Sequence, residues 1–414
     1  MSHVTNSQEL DNGLKTKGQK SEKTGGSPAA IEAGASNTKV IKKAKKAKIS
    51  SVSSCPNYKF GGTQSFSLRQ LWPLKAYQYS LRRMLKGKAV SFSDVKQAII
   101  ELGVGSNMID SMLYWARCLN ILDSNNHVTA FAIKLFGTEC LEPITDDLDN
   151  LPDEKIKVDP EVASLLKQSI KGFDPYSEYV DTLWLWHYFI CSDSSKYTAL
   201  WFIFNKLNLN TVTKEIIASE LKGFLEREHI AGNIKKLPAE KTLKTDIDVA
   251  VRTYSPLTRD IGVLRTTVKK LDNVEDISDC PMRELQLLSA SVESISANRG
   301  LHSSLSPYVF AYCLLDYIGR PKNSIVTYDF NTIAYEVDSP GRVFKLNEES
   351  LANYLSKLSE VSSGAISFIE QNGIRQIYCT VTDENSRIKL KQQLLEEVYR
   401  NVWRTKISSR QDCY

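Results

Sequence analysis

From Phe92 to Thr129 the apolar positions fall into two helical runs separated by glycines. In FSDVKQAIIELG, Val95, Ile99 and Leu102 repeat at helical spacing behind Ser93, a good N-cap. Gly103 and Gly105 supply a turn, and Ser106 caps a second predicted helix that runs to about Asn120. Met108, Met112, Trp115 and Leu119 make its inward stripe, which leaves Asn107, Asp110, Ser111, Tyr114 and Arg117 for the other face. Asp123 to Asn126 reads as a turn between short strands. Helix, turn, helix, hairpin is the order of a winged helix-turn-helix. Its second helix either enters a DNA groove or serves as scaffold.

The order recurs. Thr213 caps KEIIASELKGFLERE, and Pro238-Ala-Glu240 opens KTLKTDIDVAVRTY, which Pro256 ends. Further on, Pro307 starts YVFAYCLLDYI, Thr327 caps DFNTIAYEV, and Ser339-Pro-Gly341 is a turn before RVFKL. Asn347 caps EESLANYLSKLSEV, and two alternating strands follow, Gly364 to Ile369 and Gly373 to Thr380. They surround Gln371-Asn-Gly373, where Asn-Gly is a strong hairpin signal. Leu74 to Leu85 and Glu384 to Arg404 have helical spacing. The block from Asp181 to Leu209 is apolar and aromatic, predicting two core helices at 182–191 and 197–206. Trp184, Trp186, Trp201 and Phe204 are expected in the core rather than on a base-stacking platform, with His187 as a satisfied core histidine. The fold class is thus mainly α: winged-helix or helix-turn-helix-like modules with small β-hairpin wings.

Residues 1–57 differ from all of this. They hold no aromatic residue and ten Lys against four acids, and they read as a disordered polybasic arm. Lys42, Lys43, Lys45 and Lys46 lie in its densest run; such a run serves as a phosphate-contacting arm or as a solubilising tail. Without the arm, the +5 net charge becomes a body with 43 bases and 44 acids, so any grip on a polyanion has to be local. The expected layout is the arm, a first module at 58–141, an acidic linker at 142–173, a central helical domain at 174–300 and a last module at 301–414. In the linker, Asp146, Asp147 and Asp149 suit a metal or, more simply, a solvated charge run.

The most basic ordered stretch, Lys235 to Lys270, has nine bases and four acids. Within it Lys235, Lys236, Lys241, Lys244 and Thr245 are candidate phosphate contacts, although an ordinary solvated helix face has the same composition. The first module adds Asn107 and Ser111, and the last adds Lys345, Asn353, Lys357 and Arg375. Eight cysteines without CxxC spacing and five scattered histidines point to reduced, buried thiols in a cytoplasmic protein and to no zinc site. No apolar run is long enough for a membrane span, and the first residues carry no secretory pattern. P-loop, dinucleotide and serine-hydrolase motifs are missing. The one candidate catalytic pair is Asp279 and Glu284, which reads more simply as an N-cap with a first-turn acid; a nuclease built on it would use Mg²⁺ or Mn²⁺.

Several runs together resemble a bacterial domain-of-unknown-function family, SspB-like, that accompanies DNA phosphorothioation (sulfur-modification) gene clusters. They are Phe60 to Tyr77 (FGGTQSFSLRQLWPLKAY), Glu101 to Trp115 (ELGVGSNMIDSMLYW), Asp174-Pro-Tyr176 and Thr242 to Pro256 (TLKTDIDVAVRTYSP). Asp279-Cys-Pro281 with Glu284-Leu285, Leu305-Ser-Pro307 and Ser339 to Leu346 (SPGRVFKL) complete the set. The family's first motif carries His-Glu-Thr before its Phe, where this chain has Thr63, Gln64 and Ser65. The resemblance implies DNA as substrate, an anti-phage defence role and a DNA-nicking component. Its partners would be a cysteine desulfurase, a sulfur transferase and an ATPase. The rival readings are a non-catalytic DNA-recognition subunit and a protein-interaction scaffold without DNA contact.

Overall fold

The computed structural model describes residues 57–85, 95–138, 159–207, 211–255, 280–291, 294–320 and 326–411. All lie in one compact unit by contact, Ser54–Tyr414. The polybasic arm, the three linker aspartates, Ser93, Pro256 and Asp279 lie outside the described residues.

The hub is a helical pair with almost no polar face. α6 (Val180–Cys191) is buried from Asp181 onward and α7 (Thr198–Asn205) along its whole length, as an all-round apolar helix must be. Trp184, Trp186 and Phe204 are fully enclosed and Trp201 nearly so, as the sequence predicts. His187 is indeed a satisfied core histidine: Nδ1 lies 2.7 Å from the Tyr254 hydroxyl and Nε2 3.0 Å from the Val343 carbonyl. Burial pushes its pKa down to about 3, so the ring is neutral, and the carbonyl acceptor makes Nε2 the donor.

Around this hub stand α1 (Trp72–Leu85), α2 (Val95–Leu102), α3 (Ser106–Cys118), α4 (Ala130–Phe136) and α5 (Pro160–Leu166). α8 (Lys214–Ile230) and α9 (Glu240–Tyr254) form an antiparallel pair on another side. Thr213 caps α8, accepting the Ile216 amide as expected. A short 3-10 turn at Pro281–Leu285 and a small hairpin, β1 (Leu288–Ala290) with β2 (Ile295–Ala297), follow.

The last third begins with α10 (Pro307–Ile318), then β3 (Thr327–Asp329), α11 (Phe330–Tyr335) and α12 (Pro340–Val343). It continues with α13 (Glu348–Ser356), α14 (Leu358–Val361), β4 (Ile366–Gln371), β5 (Ile374–Cys379) and α15 (Glu384–Gln411). The sheet order is β3-β5-β4, and the β4–β5 register closes on Gln371 opposite Ile374 around Asn372 and Gly373, both at positive φ. Thr327 is a strand residue, not a cap; Asp329 caps α11 through the Asn331 amide. The chain from Ser339 is more than a turn, since Ser339 caps the single-turn helix α12.

Two expectations about the first module fail. Its wing shrinks to one bridge, Leu122 with Val128. More important, α3 has no free outer face beyond its first turn: Ser111 is fully enclosed and Tyr114 is buried, its hydroxyl donating to the Lys196 carbonyl at 2.6 Å. Trp115 meets Tyr197 edge-on at 5.5 Å. The middle of α3, from Ser111 to Ala116, is therefore core all round, while Asp110 and Arg117 are half-buried, and the helix starts from Gly105 without a side-chain cap rather than from Ser106.

The run SPGRVFKL is a structural clasp. α7 ends with carbonyls that no further turn satisfies. The Arg342 guanidinium donates to the Asn205 carbonyl and the Lys345 ammonium to the Phe204 carbonyl, both at 2.6 Å, placing two cations at the negative end of the helix. A Cβ on Gly341 would sit 2.4 Å from the Ile333 carbonyl oxygen, so the clasp needs glycine there. α15 closes the fold along α10, with Lys391 on Asp316 at 2.7 Å and Tyr399 stacked on Phe173.

Candidate nucleic-acid interface

The polar stripe of α9 faces solvent because its opposite side supplies Leu243, Ile247, Val251 and Tyr254 to the core. Glu240, Lys244, Asp248 and Arg252 recur every fourth residue, so they line up along one edge. Lys244 meets Glu240 at 2.7 Å, while Asp248 lies 2.5 Å from Lys214 of α8 and 2.8 Å from Arg252. Burial pushes the Asp248 carboxyl up, but Lys214 and Arg252 together hold it below the usual carboxylate range. Lys241 is exposed, and its ammonium has no partner among the described residues.

This stripe lines an open cleft of about 560 Å³, and Ser65, bonded to Arg252, completes the lining. Ser65 belongs to a loop that bonds from distant parts of the chain hold in shape. Gly61, Gln64 and Ser65 have φ of +72°, +48° and +68°, a region that side chains other than glycine rarely adopt. Three bonds pin the loop: Gly61 donates to Asp246 Oδ2 at 2.8 Å, Arg252 donates to the Ser65 carbonyl at 3.0 Å, and the Trp115 indole donates to the Phe66 carbonyl at 3.1 Å. A Cβ on Gly62 would lie 2.2 Å from the Tyr114 ring, so the loop rests directly on α3. Three of the runs that carry the family resemblance, those containing Gly61, Tyr114 and Asp246, thus meet at one place.

Lys241, Lys244 and Thr245 line the cleft, whereas Lys235 and Lys236 are exposed on the connection before α9. Asn107, Asn353 and Lys357 are exposed. Ser111 and Lys345 do not face solvent at all: the first is core, and the second, 4% exposed, is committed to the α7 clasp. Without an anion beside it, burial lowers the Lys345 pKa to about 7. Arg375 is engaged by Glu370 at 2.9 Å and Glu348 at 3.4 Å, and Glu348 and Glu349 occupy the first turn of α13, unfavourable for a phosphate. Glu284 is exposed on the 3-10 turn. Ser65, Lys214, Asp246 and Arg252 were not anticipated as site residues. The four-residue ladder of α9 signals Arg252, but the loop partners leave no local pattern.

No group of three or more His, Cys, Asp and Glu side chains able to hold a metal occurs among the described residues. Glu240 and Asp248 are already neutralised by cations, so the cleft does not fit Mg²⁺ or Mn²⁺ as a ligand set. Among the described residues, no helix is long and apolar enough to cross a membrane.

A family model described as "Protein of unknown function (DUF4007)" matches residues 60–399. Among solved structures, the SspB crystal structure is 22% identical with a TM-score of 0.62, and the match covers 84% of this chain and 90% of that one. The magnesium ion-bound SspB crystal structure gives 22% identity and a TM-score of 0.61 over the same shares. At this identity the likeness establishes a common fold. A comparison with curated proteins gives no match.

Proposed function

The chain belongs to the DUF4007 family, and from that premise we propose that it is a DNA-binding component of a phosphorothioation-type modification and defence system. We infer that it holds the phosphate backbone in the cleft between α9 and the Gly61–Ser65 loop. The observation that carries this reading is the cleft itself, lined by Lys241, Lys244 and Arg252 together with Ser65. Lys241 is uncommitted, and an exposed pair such as Lys244 with Glu240 is worth little in water, so a phosphate can displace the carboxylate. The last third supports a winged-helix reading through its β3-β5-β4 order between helices. Its α13 face, however, is acidic at the start, so the sequence-independent grip is assigned to α9.

The test is duplex binding followed by fluorescence anisotropy between 50 and 200 mM salt, a range over which a protein touching several phosphates loses orders of magnitude in affinity. A steep log–log slope is expected. No binding at about 50 mM salt overturns the reading and favours the scaffold. The resemblance to the SspB-like family carries a second reading, DNA nicking, and one solved neighbour is described as magnesium ion-bound. Supercoiled plasmid incubated with Mg²⁺, Mn²⁺ or EDTA decides it: metal-dependent relaxed circles that vanish in Glu284→Ala assign catalysis, and unchanged plasmid at equimolar protein assigns a reader.

A further inference from the structure

Beneath the cleft lies a carboxylate that phosphate binding does not use. Asp246 sits on the inward side of α9 and is fully enclosed. Its Oδ2 accepts the Gly61 amide, and its buried Oδ1 has no partner among the described residues. A buried carboxylate ordinarily gathers several donors or a cation. Here the charged neighbours are spent elsewhere: Arg252 on Asp248 and the Ser65 carbonyl, and Lys214 on Asp248. The titratable groups that face Asp246 are phenols. Tyr197 of α7 donates its hydroxyl to the Asp246 carbonyl at 2.7 Å, and Tyr114 of α3 lies under the loop. Burial raises both phenols far above their ordinary values, so they stay neutral. The first turn of α9 above carries Glu240 and Lys244, which face the cleft and each other.

We propose that Asp246 is a positioning residue for the cleft: as the carboxylate it grips the Gly61 amide from below and fixes the Gly61–Ser65 loop as the wall that the α9 cations face, and as the neutral acid it releases that wall. The consequence for DNA rests on the reading above; the hold on the loop stands independently. A hydrogen bond to an ionised acceptor is roughly twice as strong as one to a neutral acceptor. Left-handed Gln64 and Ser65 persist only while their surroundings over-determine them. Weakening the bond under Gly61 therefore loosens the Gly61 end of the segment, while Arg252 and Trp115 still hold Ser65 and Phe66. Burial raises the Asp246 carboxyl to about 6 while the Gly61 amide pulls it down, so enclosure favours the acid, the loop bond favours the carboxylate, and the change falls just below neutrality.

The experiment compares the full chain with Asp246→Asn, a neutral isostere, by hydrogen exchange of the segment 60–66 and by duplex anisotropy, at pH 7.5 and 5.0. At pH 7.5 the variant is expected to exchange this segment about tenfold faster, the ratio set by a bond weakened by about 1.4 kcal/mol, and to bind duplex several-fold more weakly. At pH 5.0 the two proteins converge in both measurements. Equal exchange at both pH values overturns the proposal, and so does an equal acceleration at both, which marks a packing defect. If the loop loosens while affinity is unchanged and Lys241→Ala/Lys244→Ala still weakens binding, the positioning claim falls and the DNA reading stands. If the wild-type chain binds no duplex, the DNA reading falls and exchange alone decides whether Asp246 holds the loop. Should the variant not fold, wild-type protection of 60–66, corrected for intrinsic exchange, must rise between pH 5 and 7.5; constant protection overturns the proposal.

Discussion

α3 and α9 carry the same kind of pattern, an apolar stripe opposite a polar one, and the fold treats them in opposite ways. The polar side of α3 is built from Asn107, Asp110, Ser111, Tyr114 and Arg117, of which Ser111 and Tyr114 at its centre are buried; that of α9 is built from Glu240, Lys241, Lys244, Asp248 and Arg252. A serine or tyrosine hydroxyl can be buried once one partner is found, as Tyr114 finds the Lys196 carbonyl. A ladder of five charges cannot be buried without desolvating each of them. So α3 becomes the contact between the first module and the hub, while α9 keeps its outer face. The chemistry of the polar positions, not their spacing, decides which helix of a pair is free to meet a ligand.

The sharpest way to break this contrast is Ser111→Lys. If α3 is internal, an ammonium placed there has no water and no anion, and stability falls by about 3–5 kcal/mol, read as the shift of the urea midpoint. A stable variant with raised duplex affinity would restore α3 as a recognition helix. Next in size is a pH effect. Asp181 and Asp246 are raised to about 7 and about 6, in both cases chiefly by burial, with Asp174 adding to the former. Their folded values exceed the ordinary carboxyl value, so the folded state binds more protons. The stability they confer is full below about pH 4 and is lost as pH rises through 6 to 7, on the order of 3 kcal/mol for each. The double variant Asp181→Asn/Asp246→Asn should therefore lose less stability than the wild type between pH 4.5 and 7.5 in urea titrations; parallel curves would refute the burial argument.

Lys241→Ala/Lys244→Ala tests the α9 side of the contrast. Duplex affinity should fall about tenfold and the salt slope by about 2, with melting temperature unchanged. An unaltered slope would mean that α9 touches no phosphate. The smallest effect is expected from Lys357→Ala, exposed beyond the acidic start of α13: less than a twofold change in affinity and about 0.5 kcal/mol or less in stability. A loss matching that of the α9 pair would move the interface to the last module.

What was legible in the sequence follows the same rule. Local signals were legible in part: Thr213 and Asn347 cap as their side chains require and Asn372-Gly373 turns its hairpin, whereas Thr327 lies in a strand and Gly105 replaces Ser106 as the start of α3. The aromatic block could only be core, because no polar stripe interrupts it. Lys345 was misread because lysine is ordinarily exposed, and nothing near it announces that its target is the end of a helix 141 residues earlier in the chain. Asp246 was hidden for a similar reason. It sits in a run that reads as a charged helix face, and its partner, the Gly61 amide, lies 185 residues away. Sites assembled across such separations have no period to read.

The α7 clasp also sets an order of events during synthesis. α7 is complete as sequence at Asn205, yet the two cations that satisfy its last carbonyls arrive with Arg342 and Lys345. Until those residues clear the ribosome, the most apolar of the described helices ends in open carbonyls beside uncovered tryptophans. A nascent chain halted before the clasp should therefore be a client for chaperones, and the middle of this protein waits for its last third to be made.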